Sequence, residues 1–140
     1  MGKIWDKGFD NDALIDSFTV GKDRELDLLL APYDILGSIA HTTMLEKVGL
    51  LSAEDLAAIL PELRNLYKDA SEGNFHIDGD AEDVHSQVEA ELTRRIGEAG
   101  KKIHTGRSRN DQVLVDLKLF SRAGIQKTAE KVQKLFRLLQ

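Results

Sequence analysis

The stretch from Asn110 to Leu139 constrains the fold of this chain more than any other. Val113, Leu117, Phe120, Gly124, Val132, Leu135 and Leu139 form a broken apolar seam at helical spacing, and Lys127, Glu130, Lys131 and Lys134 flank it. One helix over these 30 or so residues would extend roughly 45 Å at 1.5 Å per residue. A chain of 140 residues, the size of one modest domain, has too little protein to cover such a rod. The pattern therefore predicts one rod of a larger helical bundle.

The rest of the chain also reads as helical. Residues 1–22 show no sustained period and are expected to be an irregular arm, with a short helix around Asp12–Phe18. A helix is expected from Arg24 to about Val48, with Asp23 as N-cap and Gly49 as stop. Its expected buried face carries Leu26, Leu29, Leu30, Tyr33, Leu36, Gly37, Ala40, Met44 and Val48, and Pro32 should kink the helix or delay its start. Ser52-Ala53-Glu54-Asp55 resembles a capping box, followed by Leu56, Ile59, Leu60, Leu63 and Leu66 at helical spacing. Pro61 implies a bend, Gly73 a stop, and residues 73–81 have loop composition. From Ala81, the residues Val84, Val88, Leu92 and Ile96 mark a further helix that Gly97 and Gly100 end. No strand, repeat or low-complexity tract is apparent, so the fold class is all-α. The expected division is an N-terminal helical domain over 1–109 and the start of a central helical bundle over 110–140.

Composition narrows the function classes. A formal net charge of -5 makes nucleic acid a poor partner. The absence of cysteine removes disulfides and thiolate chemistry. No run approaches a membrane span, and the charged start lacks a signal peptide's apolar stretch. Gly2 invites myristoylation, but Asp6 stands where that motif wants Ser or Thr. A cytoplasmic globular protein is the expectation.

The chemistry concentrates just before the long helix. Lys101, Lys102, His104, Arg107 and Arg109 crowd together with Thr105, Ser108, Asn110 and Gln112. Backbone amides at a helix start attract anions, and arginine grips a carboxylate in two places. The residues point to a carboxylate or phosphate pocket; from composition alone, a solvated basic loop fits equally well. Gly97-Glu98-Ala99-Gly100-Lys101 fails as a phosphate-binding loop on spacing and on its preceding helix. Asp83, His85 and Glu89 offer too few converging ligands for a metal site, and none is expected.

The run His104-Thr105-Gly106-Arg107-Ser108-Arg109-Asn110-Asp111-Gln112-Val113 resembles the argininosuccinate lyase signature. Glu82-Asp83-Val84-His85 and Asp116-Leu117-Lys118-Leu119 match at the family's spacing. Upstream, Lys3-Ile4-Trp5, Asp34-Ile35-Leu36-Gly37-Ser38-Ile39-Ala40-His41 and Val48-Gly49-Leu50-Leu51 match too. The likeness spans essentially the whole chain and marks it as the amino-terminal part of such an enzyme, within the fumarase/aspartase superfamily.

The resemblance implies an all-α homotetramer of cytoplasmic subunits that splits argininosuccinate into arginine and fumarate by β-elimination, in arginine biosynthesis, without metal or organic cofactor. Each active site in that family collects three segments from three chains, of which this chain carries one. By that likeness Arg109 and Asn110 bind the succinyl carboxylates of the small-molecule substrate, while Thr105, Gly106, Arg107 and Ser108 shape the loop. Asp111 and Gln112 would fix the loop to the helix, and His85 would orient groups near the pocket. No catalytic residue is expected here: the family's Thr-His pair and its serine-bearing loop have no counterpart in residues 1–140. Asp23 falls where many members carry a substrate-contacting Ser, and an aspartate there would repel a carboxylate. It is left out of the site. Two other readings are a crystallin-like structural homologue without catalysis and a lyase of the same superfamily acting on another succinyl compound. A mere oligomerisation rod would leave the polar signature unexplained.

Overall fold

A computed structural model describes residue 18 and residues 21–79 and 81–140. The expected helix at Asp12–Phe18 lies outside the described residues except for Phe18, as do Lys3, Ile4 and Trp5. The described residues form six α-helices and one 3₁₀ turn, with no strand among them. The all-α expectation holds.

Helix α1 spans Asp23–Asp27 and α2 spans Ala31–Lys47. The single helix expected over 24–48 is thus two, because Pro32 occupies the first turn of α2, where its missing N–H is harmless. Asp23 is not the N-cap: Lys22 takes that position without a side-chain cap. The buried face of α2 also differs from expectation. Ala31, Asp34, Ile35, Ser38, Thr42 and Leu45 point inward, whereas Leu36, Met44 and Val48 remain exposed, with Leu26 and Leu29 ahead of it. Two apolar faces compete on this segment, and the core took the one richer in small and polar residues.

Helix α3 covers Ala53–Ser71 and starts as its sequence predicts. The Ser52 hydroxyl accepts from the Asp55 amide at 3.0 Å and donates to the Asp55 carboxylate at 2.6 Å. Ile59, Leu63 and Leu66 are buried. Helix α4 runs Val84–Ile96, three residues later than expected, because Asp83 caps it through the Ser86 amide. Val84, Val88 and Leu92 complete a core with Ile35, Leu45 and the α3 leucines.

Gly97 ends α4. Gly100 does not; it sits within the four-residue α5, Glu98–Lys101, which leads to the 3₁₀ turn Lys102–His104. A Cβ on Gly100 would come within 2.5 Å of the Thr93 nitrogen and 2.6 Å of the Leu92 carbonyl carbon, so only glycine permits this fold-back.

Helix α6 spans Arg109–Leu139. Its first turns lie against α2 at Gly37, where a Cβ would stand 3.3 Å from Val115 Cγ1. Phe120 meets Tyr33 edge-on, with ring centroids 5.8 Å apart. Only Gln112 and Asp116 of α6 are buried. Beyond Phe120 the helix projects with Ile125, Val132, Leu135, Phe136 and Leu139 exposed. No helix among the described residues is long and apolar enough to cross a membrane.

Candidate active-site segment

The polar run forms a tight turn that feeds α6. Gly106 adopts φ 68°, in the left-handed region where a side chain is disfavoured. Ser108 caps α6: its hydroxyl accepts from the Asp111 amide, and the Asp111 carboxylate accepts from the Ser108 amide at 2.8 Å. Hydrogen bonding of the carboxylate by the Ser108 amide and hydroxyl holds the Asp111 carboxyl below its ordinary range. The Ser-x-x-Asp spacing is the sequence signal for this capping box.

Arg109 projects toward α4. Its guanidinium donates to the Ser86 hydroxyl at 2.9 Å and pairs with the Asp83 carboxylate. Asn110, next along the helix start, is exposed, as are Thr105, Gly106 and Ser108. Arg109 and Asn110 thus stand at the α6 N-terminus beside the loop, with Arg109 braced by the cap of α4. Asp83, His85 and Glu89 do not converge as a ligand set: Asp83 serves the cap and Arg109, while His85 turns to Asp34.

Arg107 goes the other way. Its guanidinium donates to Ser38 Oγ at 2.9 Å and faces the charges of Asp34 and Asp116. Beneath it lies a buried polar cluster that sequence reasoning only partly anticipated. His85 Nδ1 is 2.8 Å from Asp34 Oδ1 and 3.9 Å from Asp116 Oδ2, and Gln112 Nε2 donates to Asp34 Oδ1 at 3.3 Å. Burial alone would lower the His85 imidazole, but the bond to Asp34 and the charges of Asp34, Asp116 and Asp27 outweigh it and raise its pKa. Burial and the neighbouring Asp34 push Asp116 up to about 7, against the pull of His85 and Arg107.

Asp34, His85 and Asp116 present ligand atoms within 4.8 Å of one another, close enough for a cation. The Arg107 guanidinium already faces both carboxylates, however, and would repel a divalent ion. Proton sharing is the chemistry this cluster suits.

Two further residues complete the rim. His41 Nε2 lies 2.8 Å from the Thr105 carbonyl and tethers the loop to α2; burial lowers its pKa. Lys102 pairs with Asp55 at 2.6 Å and ties the 3₁₀ turn to the start of α3. A pocket of about 100 Å³ opens among Asp34, His41, Arg107, Asp111, Gln112 and Asp116. Asp34, Ser38 and His41 at one helical face, and Gln112 and Asp116 four apart on another, were a polar stripe visible in the sequence.

The chain is all-α, with a cationic turn at the head of a long helix, and a family profile described as "Lyase" matches residues 8–140. The chain belongs to this lyase family. Relatives similar to it are argininosuccinate lyases: that of Parabacteroides distasonis is 61% identical over 98% of this chain, and that of Phocaeicola vulgatus 58% over the same share. The argininosuccinate lyase of Methylococcus capsulatus is 47% identical over 95% of the chain. The chain spans 31% of the length of the first two relatives and 29% of the third, and is similar to their amino-terminal portion.

Proposed function

We propose that the protein to which this chain belongs is an argininosuccinate lyase, a carbon–nitrogen lyase of arginine biosynthesis, and that residues 105–112 form one segment of its active site. What carries the reading is the folded state of that run: it lies at the N-terminus of α6, with Ser108 and Asp111 capping the helix and Arg109 braced beside Asn110. Similarity to enzymes of that name across nearly the whole chain supports the same conclusion.

The elimination removes a proton from the succinyl carbon beside the one bonded to nitrogen. Charge passes into the neighbouring carboxylate, and arginine departs from the next carbon, leaving fumarate. Two negative charges then gather on one carboxylate-derived group. Donors placed in advance at such a group are worth roughly 10²–10³ in rate. Arg109 and Asn110 are the donors suited to that task. The base belongs to segments outside these residues, so the 140-residue chain alone has no turnover. The family's tetramer supplies neighbouring helices for the α6 seam, and the protein works in the cytoplasm on a small-molecule substrate.

Fumarate absorbance tests this. A full-length protein carrying this chain should release fumarate from argininosuccinate. Inertness toward argininosuccinate, with the protein folded and assembled, would overturn the reading.

A further inference from the structure

Asp116 has no role in the signature that defines the substrate loop, yet this charged residue is almost wholly buried, at 1% exposure. It faces Asp34, also 1% exposed, across the His85 imidazole. The Oδ2 atoms of both aspartates and Arg107 Nε have no hydrogen-bond partner. Three helices meet there: α2 brings Asp34 and Ser38, α4 brings His85, and α6 brings Gln112 and Asp116 one turn apart. Gly37 eases the approach of α6, since a Cβ there would crowd Val115 Cγ1 at 3.3 Å and would stand at ordinary contact distance, 3.7 Å, from Asp116 Oδ1.

We propose, on the basis of the lyase reading above, that Asp116 is a positioning residue for the substrate loop, acting through the Arg107 guanidinium. Arg107 enters the loop between Gly106 and Ser108, and it is the one arginine of the run aimed inward. Ser38 holds it by a single hydrogen bond. Its remaining attraction is electrostatic, toward Asp34 and Asp116, in surroundings where charge acts strongly. When Asp116 is ionised, two carboxylates draw the guanidinium down and the turn at 105–108 is held against α2. When Asp116 carries a proton, one of those attractions is gone.

The other charged or titratable groups around the cluster are Asp27 of α1, His41 of α2, Glu89 of α4 and Asp111 of α6. His85, whose Nδ1 stands 3.9 Å from Asp116 Oδ2, stays cationic to a higher pH than an ordinary histidine. Protonation of Asp116 therefore loosens Arg107 within the ordinary working range, since its carboxyl is held up to about 7. The substrate loop should be ordered above neutrality and slackened below it.

The test is Asp116→Asn in a full-length lyase carrying this chain, with kcat and KM for argininosuccinate measured from pH 6 to 9. In the unmodified enzyme KM should fall as pH rises through 7. Asp116→Asn fixes the neutral state, so its KM should be about tenfold above the parent's at pH 8.5 and nearly equal at pH 6, the size of one charge–charge attraction in a partly buried site. Its kcat should stay within about threefold throughout, and Asp116→Glu should restore the pH dependence. A KM that parallels the parent's at every pH, or a uniform loss of kcat with unchanged KM, would overturn the positioning role. An unmodified enzyme that releases no fumarate would instead sink the lyase reading and this role with it. Should Asp116→Asn fail to fold, Ser38→Ala frees the same guanidinium from its other side. Its KM must then rise at pH 8.5, and an unchanged KM counts against the proposal.

Discussion

Arg109 and Arg107 sit two residues apart and do different things. Arg109 spends part of its planar fork on Ser86 and Asp83, which leaves a guanidinium already oriented at the mouth of the loop. A lysine could reach one of those partners but not hold the plane. In the full-length enzyme Arg109→Lys should lower kcat/KM on the order of 10²-fold. Arg122→Lys, further along the same helix, should leave it within about twofold. Near-normal kcat/KM for Arg109→Lys would remove Arg109 from the site. The Asp116 carboxyl makes a second, independent prediction. Its folded pKa, about 7, lies above the ordinary 3.8. The stability it contributes is therefore complete below pH 3.8 and is lost as pH rises through about 7. His85, also raised, acts in the same sense above its ordinary 6.5, while half-buried His41, lowered, opposes it. The Asp116 contribution is at most about 4 kcal/mol, at about 1.4 kcal/mol per pH unit. Thermal melts at pH 6 and 8.5 should show the parent losing more stability than Asp116→Asn across that interval. Equal losses would mean that Asp116 ionises freely.

At the level of elements, the chain turns twice where only particular residues allow it. The return of α5 onto the end of α4 brings backbone against backbone at Gly100. A methyl group there meets atoms that cannot swing away. Gly100→Ala should destabilise the fold by roughly 2–4 kcal/mol, as overpacking at a rigid contact does. A melting midpoint within a degree of the parent would show that α5 can shift. Ser52→Ala removes a cap that satisfies one amide and should take away about 1 kcal/mol. The cap and the core faces of α3 and α4 were legible in the sequence, because local spacing alone decides them. The break between α1 and α2 was foreshadowed by Pro32. The inward face of α2 was not, since its outer side is the more apolar one.

Across the whole molecule the imbalance is plain. Among the described residues only the first turns of α6 have a partner, and Ile125, Val132, Leu135, Phe136 and Leu139 lie more than half exposed. Burying each would gain roughly 1.5–3 kcal/mol, and soluble monomers seldom leave such a stripe in water. The exposed Leu36, Met44 and Val48 of α2 add to the apolar surface. The isolated 140-residue chain should self-associate, with a mass by light scattering that rises with concentration. A strictly monomeric mass at high concentration, with full helicity through Leu139, would count against the bundle assignment.

The sequence alone determined the helical class, the long rod, the caps at Ser52 and the polar run that carries the family likeness. Each follows from interactions spanning three to four residues, which spacing encodes directly. Tertiary structure decided which of two faces α2 buries, and it split Arg107 from Arg109, sending one inward and one to the rim. It also brought Asp34, His85 and Asp116 together from three helices. No local pattern reveals that meeting, because a buried carboxylate is tolerated only where distant charges and hydrogen bonds converge on it.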